Sequence, residues 1–330
     1  AHSVFAVYVD VVVDMDVLSA SSYDDKIAWY ENDGSESFTE HVISTSADLA
    51  FDVHAADVDA DGDMDVLSAS FSDDKIAWYE QEGSPVQTTY VPDDNFEQAL
   101  IDLGYDDVLD DSVMTANISN VTTINVNGDS ISDLTGIEDF TSLTTLNCVG
   151  NQLTSLDMSS NTALTFLNCY ANDLTSLNVS NNPLLDFLWC QNNQLTSLDV
   201  SNNTVVTELM CHSNSLDSLD LATNTMLEIL RCDGNQFTTL DLSNNTALKW
   251  IWCQGNQLTS LDFSNNVAIE TIRCNSNSLS SINISNNPAL KTLHCYSNQL
   301  TNLEIVGKDS LYNLDCRSNA LTSLDLSAVS

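Results

Sequence analysis

Residues 143–163 read LTTLNCVGNQLTSLDMSSNTA, and the same sentence returns every 21 residues. Cysteine marks the period. Cys148, Cys169, Cys190, Cys211, Cys232, Cys253, Cys274, Cys295 and Cys316 are all nine cysteines of the chain, each 21 positions after the last. Self-similarity at a short fixed period signals a solenoid, in which each unit buries its apolar face only against its neighbours. Leu146 and Cys148 flank Asn147, the alternation of a strand with one buried face. Leu156 and Met158 repeat that alternation ten residues on. The pattern predicts two short strands per coil, on opposite walls, with Leu143, Leu153 and Leu164 filling the corners.

Asparagine marks the turns. Asn151, Asn172, Asn193, Asn214, Asn235, Asn256, Asn277, Asn298 and Asn319 form one unbroken column. Asn161, Asn182, Asn203, Asn224, Asn245, Asn266 and Asn287 form a second, which Lys308 interrupts. A stacked coil leaves turn amides and carbonyls unpaired inside, and a buried carboxamide can serve both kinds. Asparagine also tolerates the tight turn itself. Both columns are therefore read as structural.

The unit LxxLxCxxNxLTSLDxSxNxx resembles the leucine-rich repeat family, in the short form of internalin-like and Bacteroidetes surface proteins. The resemblance implies a mainly β fold: a solenoid of about nine 21-residue coils with parallel strands, spanning 143–330. Residues 93–142 are read as its cap, similar to internalin-type caps. Asp94 is expected to cap a helix with Glu97 three residues later, Phe96, Leu100 and Leu103 sharing its buried face and Gly104 ending it. Val121, Ile124, Val126, Ile131, Leu134, Ile137 and Phe140 then keep the repeat spacing without cysteine.

Residues 1–83 carry a second repeat, of 49 residues: DMDVLSAS with DDKIAWYE occurs at 14–31 and again at 63–80. Before the second copy stand Asp57, Asp59, Asp61, Gly62, Asp63 and Asp65. Alternating carboxylates around a glycine form a hard-oxygen cage suited to Ca²⁺. Five such charges repel one another without a cation. This segment resembles the FG-GAP/VCBS repeat, the blade of integrin α-subunit propellers and of many bacterial surface proteins. The resemblance implies side-chain ligation by Asp57, Asp59, Asp61 and Asp65, with Asp63 giving its carbonyl. In the first copy Tyr8, Val12 and Val13 replace Asp57, Asp61 and Gly62, leaving Asp10, Asp14 and Asp16 as a weakened loop. Two blades cannot close a propeller. Residues 84–92 read as a linker.

Eight basic residues face 48 acidic ones, a formal charge of −40. Nucleic acid and anionic membranes are excluded as partners, because a polyanion gains nothing from counterion release at phosphates. No apolar run is long enough to span a bilayer, and no signal peptide is present. Residue 1 opens mid-unit and Ser330 closes mid-coil, so the sequence reads as part of a longer chain or as one whose end another subunit covers. The composition suits a secreted, extracellular protein, and the resemblance implies a bacterial cell surface. Nine cysteines in such a chain raise the question of disulfides. In-register parallel strands give poor bridging geometry, so buried free thiols acting as apolar filler are expected.

Variation among the repeats points to function. The second half-coil barely changes, whereas outward positions beside the cysteines change sharply. Phe166, Tyr170, Phe187 and Trp189 form one patch; Trp250 and Trp252 beside Arg231 and Arg273 form another. With Met210, His212, His294 and Tyr296 these residues are the expected ligand-binding face. Exposed aromatics with arginine anchor interfaces, and aromatic rings also suit the apolar faces of sugars. Cross-strand stiffening is the competing explanation. The opposite wall carries Asp157, Asp199, Asp220, Asp241, Asp262 and Asp325, expected to accept bonds from turn amides and hydroxyls.

No GxSxG elbow, HExxH or phosphate loop occurs. His212 beside Cys211 and His294 beside Cys295 cannot each grip one metal, because adjacent strand residues face opposite ways. The sequence therefore reads as non-enzymatic: a binding or adhesion module for a protein or glycan. Two alternatives stand beside that reading. One is a structural subunit of an extracellular filament, self-associating through an uncapped solenoid end. The other is an accessory region of a larger secreted enzyme.

Overall fold

The computed structural model describes residues 1–7, 15–32, 37–58, 64–81 and 87–325, which divide into two units, Ala1–Gln87 and Thr88–Ser330.

The first unit holds two antiparallel sheets. β1 (Ser3–Val7), β2 (Asp16–Ser21), β3 (Lys26–Asn32) and β4 (Phe38–Ser44) pair in order. β5 (Ala50–Ala56), β6 (Asp65–Ser70) and β7 (Lys75–Tyr79) form the second sheet. The 49-residue period maps β1, β2 and β3 onto β5, β6 and β7. Leu18, Ala20 and Ile27 join Ala50, Val53 and Ala55 in one apolar cluster between the sheets. Asp16 and Asp65 are both buried and hold the ends of their hairpins: Asp16 Oδ1 accepts from Asn32 N at 2.9 Å, and Asp65 Oδ1 from Gln81 N at 3.0 Å.

The second unit begins with β8 (Thr88–Tyr90), the helix α1 (Asp94–Asp102), β9 (Ser112–Met114) and the short helix α2 (Thr115–Ile118). α1 is capped by Asp93, not Asp94. One Asp93 oxygen accepts from Asn95 N and Phe96 N, while the other accepts from Ser132 N, Ser132 Oγ and Asp133 N. One carboxylate thus starts the helix and ties it to the first turn of the stack, a double use that only Asp93 can reach. Glu97 is buried and takes the amides of Asp110 and Ser112, fixing the acidic loop after the helix. Phe96 and Leu100 face the core, but Leu103 is 43% exposed. It falls beyond the last helical turn, where the chain has already begun to leave the core.

Ten parallel strands then stack in register: β10 (Thr123–Asn125), β11 (Thr145–Asn147), β12 (Phe166–Asn168), β13 (Phe187–Trp189), β14 (Glu208–Met210), β15 (Ile229–Arg231), β16 (Trp250–Trp252), β18 (Thr271–Arg273), β20 (Thr292–His294) and β21 (Asn313–Asp315). The opposite wall differs from the expected second strand per coil. Among the described residues only β17 (Ser260–Asp262) and β19 (Ser281–Asn283) pair there as strands, with one isolated bridge, Asp157 to Asn178. Asp157 Oδ1 accepts from Ser159 N, and Asp199, Asp220, Asp241 and Asp262 do the same two residues on. The same bond occurs at Asp262 and Asn283 inside the paired strands β17 and β19, so it accompanies strand pairing as well as its absence. The same bonds, first from Ser201 for Asp199 and Ser243 for Asp241, hold those carboxyls below their ordinary range.

The leucine and cysteine columns are sealed inside. Leu146, Leu167, Leu188, Leu209, Leu230, Ile251, Ile272 and Leu293 are fully buried. Each such side chain stabilises the stack by about 1.5–3 kcal/mol. All nine thiols are free; eight are buried and Cys316 is partly exposed. Burial pushes the thiols of Cys169, Cys211, Cys253 and Cys295 up to about 12.

The two asparagine columns do different work. Asn172 Oδ1 accepts from Leu153 N at 3.1 Å while Nδ2 donates to Cys148 O and Cys169 O, and the first column repeats this. In the second column Asn182 Nδ2 donates to Met158 O and Asn161 O, but Oδ1 takes no hydrogen bond, as at Asn161, Asn203, Asn224, Asn245, Asn266 and Asn287. The expectation that both columns serve donors and acceptors alike holds for the first only. Where Lys308 replaces asparagine, its Nζ still reaches a carbonyl, Ser285 O at 3.3 Å, and burial lowers its pKa.

Candidate ligand-binding face

The sheet's register turns sequence columns into rows of neighbours. Phe166, Phe187, Glu208, Ile229, Trp250 and Thr271 are successive partners, and so are Asn168, Trp189, Met210, Arg231, Trp252, Arg273 and His294. The cysteine following each strand faces inward. Pleat alternation therefore puts these residues on the outer face, together with Tyr170, His212 and Tyr296 two positions further along. Nine of the twelve expected face residues lie in strands of this sheet, and Tyr170, His212 and Tyr296 follow strand ends; Arg273 is exposed and the others are half-buried.

The face has two aromatic centres. Phe166 contacts Phe187 at 6.0 Å and Trp189 edge-on at 5.1 Å between ring centroids. Further along, the Arg231 guanidinium sits 5.7 Å from the Trp252 ring centroid, with Arg273 on that tryptophan's other side in register. Near the C-terminal end Arg317 covers Tyr296 at 4.9 Å.

Between the two centres runs a polar column, of which the sequence reading placed only His212 in the site. Gln191, His212, Asp233 and Gln254 occupy equivalent positions in four consecutive coils. Gln191 Oε1, His212 Nδ1, Asp233 Oδ1 and Gln254 Oε1 are all buried and accept or donate no hydrogen bond. Arg231 Nε lies 3.5 Å from Asp233 Oδ1, an ion pair without hydrogen-bond geometry. Burial, with Arg231 acting in the same direction and Asp233 opposing, holds His212 below its ordinary pKa. Burial raises the Glu208 carboxyl above its usual range. Unpaired buried polar atoms cost free energy, and these lie beside the half-buried rings of the face.

A charged rail flanks the rings. Glu228, Lys249, Glu270 and Lys291 are spaced 21 residues apart and alternate in sign. Lys249 meets Glu228 at 2.6 Å and Lys291 meets Glu270 at 2.9 Å. The alternation was legible at the repeat period but falls outside the columns chosen from the sequence.

At the acidic loop, Asp59, Asp61 and Asp63 lie outside the described residues, as do Asp10 and Asp14. Asp57 is exposed at the end of β5. Asp65 is buried and its two oxygens accept from Val58 N and Gln81 N, each at 3.0 Å. Asp65 thereby fixes both flanks of the loop. Each of its oxygens retains a lone pair, and the donor set is all-oxygen, as Ca²⁺ prefers. Among the described residues no three metal-ligating side chains converge, and no helix is long and apolar enough to cross a membrane.

Residues 13–68 match the FG-GAP-like repeat family. The chain is 37% identical over 73 residues to Internalin J of Listeria monocytogenes serotype 4b (strain F2365), covering 22% of this chain and 8% of that protein. The solved functional domain of InlJ from Listeria monocytogenes, described as including a cysteine ladder, superposes with a TM-score of 0.70 at 37% identity, covering 73% of this chain and 55% of that one. A leucine-rich-repeat protein of Leptospira interrogans (TM-score 0.53, 22% identity, 64% of each chain) shares the fold. So does internalin C2 of Listeria monocytogenes (TM-score 0.52, 23% identity, 69% of this chain and 97% of that one). The chain thus spans about half of the InlJ domain and a small part of the full Internalin J.

Proposed function

We infer that this internalin-like leucine-rich-repeat protein, with its FG-GAP-like repeat, is a secreted or cell-surface binding protein without catalytic activity. It presents the outer face of β12–β16 to a protein or glycan ligand. One observation carries the reading: the rings of Phe166, Phe187, Trp189, Trp250 and Trp252, the buried polar atoms of Gln191, His212 and Gln254 that take no hydrogen bond, and the Arg231–Asp233 ion pair occupy the same few coils. Half-buried aromatics with an arginine are the usual anchors of an interface. Unpaired donors and acceptors beside them give orientation and specificity. The opposite wall repeats LTSLD almost unchanged and its carboxylates are already bonded locally.

The acidic loop of the first unit is proposed to hold Ca²⁺ through Asp57, Asp59, Asp61 and Asp65, with the Asp63 carbonyl. The ion would neutralise carboxylates that otherwise repel. Asp65 already anchors the loop to both flanking strands.

The test is a binding screen of the whole chain against immobilised extracellular glycoproteins, before and after enzymatic removal of their glycans. Binding should require the aromatic face. Loss on deglycosylation assigns a glycan ligand, and persistence assigns a protein one. Binding that survives replacement of the face tryptophans would refute the proposal.

A further inference from the structure

The repeats from residue 143 onward carry six basic residues. Five of them, Arg231, Lys249, Arg273, Lys291 and Arg317, lie in or next to strands of the ten-stranded sheet. Four of the five are neutralised within the fold. Arg231 lies 3.5 Å from Asp233, Lys249 2.6 Å from Glu228, Lys291 2.9 Å from Glu270 and Arg317 3.3 Å from Asp315. Arg273 is the exception. It is exposed, and among the described residues its guanidinium has no ion pair, hydrogen bond or ring contact. In a chain with 48 acidic residues against eight basic ones, a guanidinium kept apart from every carboxylate is available to a ligand's.

The neighbours of Arg273 supply the rest of a site. Trp252 is its register partner on one side and His294 on the other, while Thr271, two positions earlier on β18, pairs with Trp250. Both tryptophans are half-buried, so each ring keeps part of its surface open. Arg231 lies on the other side of Trp252, 5.7 Å from the ring centroid, and is tied to Asp233. The two arginines beside this ring therefore differ: one is held by the fold and the other is free. Two positions after Trp252, Gln254 has a buried Oε1 that accepts no hydrogen bond.

Three demands converge here. The guanidinium needs an acceptor, best a planar carboxylate that meets its fork with two parallel bonds. Gln254 Oε1 needs a donor. The rings need an apolar face. An acidic sugar offers all three in one residue: a carboxylate, hydroxyl donors and a face of C–H bonds. An Asp or Glu side chain brings the carboxylate without the hydroxyls. We propose that Trp250, Trp252, Gln254 and Arg273 form a subsite for a carboxylate-bearing sugar, its carboxylate on Arg273, its ring against Trp252 and a hydroxyl donating to Gln254 Oε1. This subsite rests on the reading of the outer face as a binding surface, extends it to β18 and names the class of glycan. One carboxylate needs one guanidinium, so the contact is local. At about 0.15 M salt the Debye length is about 8 Å, which screens most of the repulsion from carboxylates elsewhere on the chain.

Calorimetric titration of the whole chain at that salt, with oligomers of galacturonic acid and with sialyllactose, each beside its carboxyl-reduced form, tests the proposal. The wild type should bind at least one acidic probe at least about tenfold tighter than its reduced form, as loss of a charge-assisted pair predicts. Arg273→Gln should erase that preference. Lys75→Gln, an equal charge change in the first unit, should keep it. Both positions are exposed, and circular dichroism verifies that each variant folds. No binding of either acid, equal affinity for acidic and reduced forms, a preference that survives Arg273→Gln, or one lost equally in Lys75→Gln would each overturn the subsite. Trp189→Ala separates this outcome from the wider reading. Glycoproteins held through Trp189 with no preference for acidic sugars overturn the subsite alone. Binding untouched by both Trp189→Ala and Trp252→Ala overturns the binding face as well.

Discussion

Trp189 packs edge-on against Phe166 at 5.1 Å, although its register partner across the strands is Asn168. The contact is diagonal and joins two coils on the outer face. Such ring pairs are worth about 0.5–1.5 kcal/mol beyond area burial. Phe166→Ala and Trp189→Ala should therefore show a coupling of that size in a double-mutant cycle by urea denaturation. Additive losses would mean that the rings do not support each other.

The asparagine columns should differ in their response to alanine. Asn193 Oδ1 accepts from Leu174 N, and its Nδ2 donates to Cys169 O and Cys190 O. Asn193→Ala strands a buried amide as well as carbonyls, and each such group costs about 1–3 kcal/mol. Asn203 bonds only through Nδ2, to Val179 O and Asn182 O. Asn203→Ala should destabilise less, read as a smaller drop in the urea midpoint. Equal drops would contradict the assignment.

The thiols give a pH test. In the unfolded chain they ionise near 9.0, whereas burial raises Cys211 and Cys253 to about 12 in the fold. The folded state keeps protons that the unfolded state releases, so this contribution is intact below pH 9 and falls as pH rises toward 12. The urea midpoint should fall between neutral pH and pH 10, and fall less in a Cys211→Ala, Cys253→Ala double variant. A thiol reagent should modify Cys316 quickly and the eight buried cysteines only on unfolding. Rapid labelling of several thiols in the native protein would contradict the sealed core.

Calcium should stabilise the first unit. A ligand that binds only the folded state raises its stability by RT ln(1 + [L]/Kd). Scanning calorimetry with Ca²⁺ and with chelator should resolve a shift in one transition, and Asp57→Asn with Asp61→Asn should abolish it. Identical transitions in all three samples would exclude a folded-state ion.

Much of this was legible in the sequence because the period repeats each signal. One cysteine beside a leucine is ambiguous; nine at one spacing place the buried face, and the pleat then places Trp189 and Trp252 outside. On the opposite wall a second short strand was expected in every coil because LTSLD has strand alternation, whereas among the described residues only Ser260–Asp262 and Ser281–Asn283 pair there as strands. Asp93 was passed over for Asp94 because its second role, on Ser132 and Asp133, joins segments 39 and 40 residues apart. His212 was chosen from its column but Gln191, Asp233 and Gln254 were passed over, because only coordinates show that their buried atoms take no hydrogen bond.

The most direct measurement compares two variants on whichever glycoprotein the screen retains. Trp189→Ala, Arg231→Ala and Trp252→Ala together should lower affinity at least about tenfold, since each anchor is worth about 1 kcal/mol or more. Ser176→Ala with Ser197→Ala, on the opposite wall, should leave it unchanged. Binding retained by the triple variant, or lost in the control, would show that this face is not where the protein meets its ligand.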